Sequence, residues 1–387
     1  MGRGKSSAAI RYMNEQKGRQ RFLYITLYLD EVDRICKQCD FDQPDSDHLT
    51  KSTELKNYLR NGYNVAATHS LFYLMDDEAL GLIKEKNYSL IVDESISVIR
   101  QLHVSCQDTR ILMDNLVNEK EGGQLEWRDP EYTGCFYGYK EMADVGSLYK
   151  LDTALFNILN PKLLRAFQEV YMLTYMFDGQ YQKAYLDFFG FEYRVVGIEE
   201  DKKGFFFSDK PDNPPPTNYH ELIHIIEGDK FNSVGEGRYA LAKAWYERRG
   251  YNDPEIRKLR TCLRNFFRNN PEGTNDTRLW TCFKSDKEKL IDIKTGRFRY
   301  NFLQTTARAT NRYKKCTDIA YMVNRFADPN IVKLFANQGI KIDPDKFALS
   351  EMLQWIWRSA IRDGNPINLY VPSNRMRRLL INWMKEN

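Results

Sequence analysis

Apolar positions recur along this chain in two periods, and the two periods alternate. Arg21-Phe22-Leu23-Tyr24-Ile25-Thr26-Leu27 is a short run of aromatic and β-branched residues, as are Tyr63-Asn64-Val65-Ala66-Ala67-Thr68 and Tyr88-Ser89-Leu90-Ile91-Val92. Runs of this length and composition predict strands. Between them, Ala8 to Met13, Asp30 to Lys37 and about Asp76 to Lys86 carry helical spacing. From Gln101 to Tyr149 the pattern is polar and irregular and reads as an insertion of about 101–150. Leu151 to Phe167 reads as a helix, Glu169 to Tyr175 as a fourth strand, about Gln180 to Phe189 as a helix, and Tyr193 to Ile198 as strand-like.

The rhythm breaks between Asp201 and Asn218. Lys202-Lys203-Gly204 precedes Phe205-Phe206-Phe207, and Pro214-Pro215-Pro216 cannot continue a sheet. The three phenylalanines read as a small hairpin packed on the core, with an exposed wedge against bases as the alternative. The joint is therefore expected at about 201–236, between an amino-terminal unit of residues 1–200 and a carboxyl-terminal unit of residues 201–387. Alternation then resumes, with helices about Gly237 to Arg249 and Asp253 to Arg268, and strands at Leu279 to Phe283 and Asp318 to Val323. Asp343-Pro344 supplies a helix start, an N-cap acceptor followed by proline at the first helical position. That helix is expected to run to about Arg362 and stop at Gly364, before a strand at Ile367 to Val371 and a Ser373-capped helix. Short apolar strands alternating with helices predict an α/β fold, its sheets mostly parallel and flanked by helices, with sites at the carboxyl ends of the strands.

The 387 residues leave room for two cores, and 42% hydrophobic with 28% charged residues is a globular composition. A net charge of +4 is compatible with a polyanionic partner without demanding one. No apolar run approaches membrane-spanning length, and the amino terminus lacks an apolar signal core, so a cytoplasmic location is expected. Of the seven cysteines, Cys36-Lys37-Gln38-Cys39 is the one C-x-x-C pair, with no second pair at zinc-site spacing. Reduced structural thiols are the expectation.

Three stretches carry chemistry. Gly4-Lys5-Ser6, within Met1-Gly2-Arg3-Gly4-Lys5-Ser6-Ser7, is the tail of the phosphate-binding pattern G-x-x-x-x-G-K-[ST], opening into a helix. Glycines let backbone N–H groups close on phosphate oxygens, the lysine reaches the β- and γ-phosphates, and the serine hydroxyl holds magnesium. The pattern's first glycine and the strand before it would lie upstream of Met1, so an incomplete cradle and a gap in the core are expected. Asp93-Glu94 ends an apolar strand; Asp93 suits a magnesium ion and Glu94 the attacking water, although alone such a pair is a solvated turn. Gln354, Arg358 and Arg362 fall at i, i+4, i+8, one stripe of a helix that could face an anion. A basic and aromatic mixture, Arg264, Phe266, Phe267, Arg268, Arg297, Phe298, Arg299, Tyr300, Arg308 and Arg312, suits single-stranded nucleic acid as well as it suits a solvated face with buried rings.

In this order the motifs resemble a superfamily-two helicase. Gly4-Lys5-Ser6 is similar to its nucleotide loop, Thr26 to Asp33 and Ala67-Thr68-His69-Ser70 to nucleic-acid-contacting segments, and Val92-Asp93-Glu94-Ser95 to its D-E-A-D/H box. Leu173-Thr174-Tyr175 occupies the place of its S-A-T motif, and Gln354-x-x-x-Arg358-x-x-x-Arg362 that of Q-x-x-G-R-x-x-R, one residue longer. Gln354 to Ser359 and Tyr370-Val371-Pro372-Ser373 look like helicase-like proteins of phages and prophages. The resemblance implies two RecA-like P-loop domains in tandem with ATP and Mg2+ between them. Gly2, Gly4, Lys5, Ser6 and Ser7 would hold the nucleotide, and Ser6 and Asp93 the metal. Glu94, Gln354, Arg358 and Arg362 would serve hydrolysis, and Thr68, His69, Thr174, Arg308 and Thr310 would contact nucleic acid or couple it to hydrolysis. The implied protein is an ATP-dependent helicase or translocase on nucleic acid, DNA before RNA, in phage or prophage replication, with replication proteins as further candidate partners. The alternatives are a nucleic-acid-binding protein with an impaired ATPase and a phage DNA-packaging ATPase; against the latter stands the lack of a carboxylate-rich half after Asn218.

Overall fold

In the computed structural model all residues are described except 1–3, 46–49, 211–216, 270–272, 292–300 and 307–311. The chain opens with α1 (Lys5–Glu15), β1 (Arg21–Thr26), α2 (Leu29–Cys39), α3 (Lys51–Asn61), β2 (Val65–Thr68), α4 (His69–Tyr73), α5 (Asp77–Glu85) and β3 (Tyr88–Asp93). β1 buries five consecutive residues, Phe22 to Thr26, because helices cover both of its faces. Leu23 and Ile25 pack on one side with α3, and Phe22 and Tyr24 on the other with Ala9 and Met13 of α1 and with Val32 and Ile35 of α2.

The stretch read as an irregular insertion is a folded subdomain. β4 (Ile99–Leu102), α6 (Cys106–Ile111), β5 (Val117–Glu119), β6 (Leu125–Trp127), α7 (Tyr137–Asp144), β7 (Leu148–Leu151) and β8 (Ala154–Ile158) follow in turn. β4, β8 and β7 form an antiparallel sheet, β5 and β6 a hairpin, and Leu112, Val117, Leu125, Trp127, Leu148 and Leu155 make a separate core. The helix expected from Leu151 to Phe167 is instead the end of β7, strand β8 and the short helix Lys162–Arg165. Its helix-like spacing arises because β8 is apolar on both faces: Leu155 enters the subdomain core while Phe156 and Ile158 enter the main one. Asp152, left-handed at φ 50°, turns β7 back into β8.

α8 (Lys162–Arg165) leads to β9 (Val170–Leu173), which completes a four-stranded parallel sheet in the order β2-β1-β3-β9. α9 (Tyr181–Phe188) follows. The strand expected at 193–198 falls later, as the hairpin β10 (Gly197–Asp201) and β11 (Gly204–Ser208); Val195 is 75% exposed and has nothing to pair with a sheet. The three phenylalanines lie on this hairpin and pack against α1, as the sequence suggested. Phe207 stacks on Tyr171 and meets Tyr12 edge-on, and Arg11 clasps Asp201 with two hydrogen bonds.

The second half contains α10 (Tyr219–Leu222), β12 (Ile223–Ile225), α11 (Asp229–Asn232), α12 (Lys243–Glu247), α13 (Pro254–Asn269), β13 (Arg278–Thr281), α14 (Lys287–Leu290) and β14 (Asp318–Tyr321). α15 (Pro329–Ala336), α16 (Pro344–Ile356), β15 (Ile367–Tyr370) and α17 (Asn374–Glu386) complete it. Its four strands are again parallel, in the order β12-β15-β14-β13. The fold class expected from the sequence is thus observed. The helix expected from Gly237 shrinks to α12, because the chain before it folds over the sheet edge through a left-handed, buried Leu241. α15 departs from the two-unit division: its Ile331, Leu334 and Phe335 are buried in the core of the first half. Each such side chain contributes roughly 1.5–3 kcal/mol on burial.

Candidate functional site

A cleft of about 480 Å³ lies between the two halves. One wall is Gly4, Lys5, Ser6 and Ser7 with Asp93, Glu94 and Ser95, together with Glu31 and Arg34 of α2 and Leu173, Thr174 and Tyr175 at the carboxyl end of β9. The other is Gln354, Trp357, Arg358, Arg362 and Asp363. The first wall forms because β1, β3 and β9 are parallel neighbours whose carboxyl ends open at the same edge.

Gly4 caps α1 in the left-handed conformation at φ 68°, and its carbonyl accepts from Ala8. The Phe205 ring packs directly on it: a Cβ there would stand 2.2 Å from Cγ of Phe205. The Ser6 hydroxyl donates to Asp93, 3.2 and 3.3 Å from its two carboxylate oxygens, and the Tyr24 hydroxyl donates to Oδ2 at 2.7 Å. Burial lifts the Asp93 carboxyl above its ordinary value and the Glu94 charge adds to this, while the bonds from Tyr24 and Ser6 pull the other way. Burial, then the Asp93 charge, keeps Tyr24 protonated well above its ordinary range.

Among the described residues no cluster of three or more His, Cys, Asp or Glu is arranged to hold a metal by protein ligands alone. Ser6 and Asp93 do bring hydroxyl and carboxylate oxygens to one point, which suits a hard cation that takes its remaining ligands from water and phosphate. Lys5 places its ammonium 6.0 Å from the Tyr175 ring centroid, on the same wall.

The walls touch through Glu94 and Arg358, 264 residues apart in sequence: Nη2 donates to Oε1 at 2.8 Å and to Oε2 at 3.0 Å. Arg358 is only 4% exposed. Glu94 holds a left-handed backbone at φ 67°, a conformation that a non-glycine residue adopts at a cost of about 1–3 kcal/mol. The helix expected to reach Arg362 ends at Ile356. Ser359 donates its hydroxyl to the Ile356 carbonyl at 2.7 Å, and a 3₁₀ turn, Ala360–Asp363, follows and closes at a left-handed Gly364. Gln354, Arg358 and Arg362 therefore share the cleft without sharing a continuous helical stripe; the break turns Arg358 inward and leaves Arg362 exposed.

Other expected residues are distributed unevenly. Thr174 lines the cleft and donates its hydroxyl to Gln180. Thr68 and His69 do not line it, because β2 is the sheet edge farthest from β9; Thr68 caps α4 and His69 is buried. Phe266 and Phe267 are core residues, so on α13 the rings are buried rather than displayed. Gly2, Arg297, Phe298, Arg299, Tyr300, Arg308 and Thr310 lie outside the described residues, as do Pro214 to Pro216. Cys36 and Cys39 are free thiols, both pushed up to about 11 by burial, consistent with structural cysteines. Sequence reasoning missed Tyr24, Arg34 and Trp357 as site residues, and it named Glu31 and Tyr175 only within the segments Thr26 to Asp33 and Leu173 to Tyr175, without a role of their own. Glu31 and Arg34, bonded at 2.7 Å, had one available signal, their place on the helix entered directly from a strand's carboxyl end.

Residues 217–384 match the family model described as the YonV C-terminal Rossmann-like domain. The SPbeta prophage-derived protein YonV of Bacillus subtilis (strain 168) is 36% identical over 405 aligned positions, covering 100% of this chain and 97% of that protein. Among solved structures, Xpd4 of S. tokodaii aligns with a TM-score of 0.50 at 11% identity, over 98% of this chain and 91% of that one. An apo XPD structure aligns with a TM-score of 0.49 at 12% identity, over 99% and 98%. At such identity the likeness to Xpd4 is one of fold, and it fits two RecA-like units in tandem. No helix among the described residues is long and apolar enough to cross a membrane. Matched from end to end, the chain belongs to the family of the prophage-derived protein YonV.

Proposed function

We propose that the chain is a nucleic-acid-dependent ATPase of the helicase or translocase kind, acting on DNA before RNA, with ATP and magnesium in the interdomain cleft. The carrying observation is that groups from the two ends of the chain, Lys5 and Ser6 with Asp93 and Glu94, and Arg358 with Arg362, line one cleft. Lys5 and the first amides of α1 hold phosphate oxygens, aided by the positive end of the helix dipole. Ser6 and Asp93 would hold the magnesium ion, which would supply positive charge against the phosphates, and Tyr24 fixes the orientation of the Asp93 carboxylate. Glu94 accepts the proton of the attacking water once Arg358 has turned away from it. Arg358 and Arg362 then face the γ-phosphate and stabilise the charge that develops there. The prophage origin of the YonV relative supports a role in phage or prophage replication.

Hydrolysis of ATP, measured with and without oligonucleotides, tests the proposal. Arg358→Ala is expected to keep ATP binding and lose hydrolysis by roughly 10³–10⁵, the range for such arginines. Unchanged turnover in that variant removes the assignment. One observation favours a second reading, a nucleic-acid-binding protein with an impaired ATPase: the Phe205 ring sits directly on Gly4 at the loop. Oligonucleotide binding by the wild type without any hydrolysis would select it.

A further inference from the structure

Large apolar side chains left exposed on a folded chain are normally scattered singly. Tyr239 is 62% exposed and is not alone. Its ring centroid lies 5.7 Å from that of Phe326, and the Arg238 guanidinium lies 5.5 Å from the Tyr239 ring. Beneath, the Arg375 guanidinium lies 4.3 Å from the Phe326 centroid.

The group is rigidly mounted. Asn324, fully buried, donates its amide to the carbonyls of Arg238 and Ala240 at 2.9 and 3.0 Å, one on either side of Tyr239. Its backbone N–H donates to Leu241, the buried residue held left-handed at φ 63°. Arg375 donates to the Asn324 side-chain oxygen, to the carbonyls of Arg325 and Pro344, and to Asp345. It is a buttress rather than a ligand. Gly235 fixes the other end of the loop, so close to the Pro372 carbonyl that no side chain would fit. Glu236, the acidic neighbour, is drawn toward Asn374 and Arg377.

Asn324 follows β14 and Pro372 follows β15, so the loop sits on the carboxyl ends of the second sheet. Arg358 and Arg362 precede the amino end of β15. The two places are separated by the length of a four-residue strand, about 13 Å at roughly 3.3 Å per residue. A strained, pinned loop that displays one aromatic face beside an exposed cation matches the chemistry of an unstacked base followed by its phosphate.

We infer that Tyr239 and Phe326 form a base-stacking platform for single-stranded nucleic acid, with Arg238 meeting the adjoining phosphate. This rests on the nucleic-acid half of the proposed function. Fluorescence anisotropy of the full chain with labelled oligo-dT, oligo-rU and an abasic oligomer of equal length tests it. The wild type is expected to bind a base-bearing strand about tenfold or more tightly than the abasic one. Tyr239→Ala erases that difference and leaves abasic binding and basal ATP hydrolysis unchanged, whereas Tyr239→Phe retains it. Arg238→Ala weakens all oligomers alike and lowers the salt dependence by about one ion. Undiminished binding of oligo-dT and oligo-rU by Tyr239→Ala, or a wild type that treats abasic and base-bearing strands alike, overturns the platform. If the wild type hydrolyses ATP but binds no oligonucleotide, the platform falls and the ATPase stands. If the Tyr239 pattern appears without any hydrolysis, the platform stands and the motor falls.

Discussion

The first sheet turns the carboxyl ends of its strands toward the cleft, whereas the second turns its amino ends there and keeps its carboxyl ends for the Tyr239 loop. The first arrangement gathers loops that follow strands, and so gathers a helix N-terminus and carboxylates in one desolvated corner. The second offers only what precedes β15, and there the chain supplies arginines. Unlike charges thus arrive from opposite ends of similar sheets, and the pair formed by Glu94 and Arg358 is where they meet. Two four-stranded parallel sheets need not contribute the same edge to a shared site.

The sharpest way to break this comparison is to discharge the first wall. Asp93→Asn is expected to lower hydrolysis by on the order of 10³–10⁵. The same change should leave the fold at least as stable at neutral pH, because burial raises the Asp93 carboxyl and its ionisation therefore opposes folding. With the native carboxyl raised above its unfolded value of about 3.9, the stability loss develops as pH rises past that value. The advantage of the asparagine variant, followed by thermal melts, should therefore vanish on acidification below that range.

A smaller effect probes the contact between the walls. Glu94→Gln is expected to reduce turnover by about 10²–10³, as for loss of a general base. It should also tighten binding of a non-hydrolysable ATP analogue, measured by calorimetry, since Arg358 is no longer held by a carboxylate. Weaker analogue binding would mean that the ion pair preorganises the cleft instead of competing for it.

Gly4→Ala should destabilise by about 1–3 kcal/mol, through its positive φ and the Phe205 ring, and the double variant with Phe205→Ala should recover part of that. Additive losses in chemical melts would show that the ring is not the obstacle. Smallest, Tyr24→Phe should raise the magnesium concentration for half-maximal hydrolysis about tenfold, the size expected for one hydrogen bond to a charged group. An unchanged magnesium dependence would reduce Tyr24 to a core residue.

The two walls also differ in how far the sequence disclosed them. Gly4-Lys5-Ser6 and Asp93-Glu94 are each contiguous, and their positions, at a helix start and at the end of an apolar strand, are visible in the letters. Arg358 was visible as a residue but not its partner, because no spacing rule connects positions 264 apart. The helix break at Ser359 was equally hidden, since a hydroxyl returning to the Ile356 carbonyl leaves the apolar period intact. Glu31 and Arg34 look like ordinary solvated helix positions until α2 packs on β1 and β2 and its first turns reach the cleft beside Asp93. β8 misled for a physical reason, being buried on both faces, so that its apolar residues no longer alternate.

α15 has a consequence for how the halves part company. Because Ile331, Leu334 and Phe335 seat themselves in the opposite core, cutting the polypeptide ahead of residue 217 would strand a greasy hole in one fragment and an unsheltered helix in the other. Any opening of the molecule must pivot about this embedded segment, like a door hung on a pin that passes through the frame, rather than swing freely on a loose connecting tether.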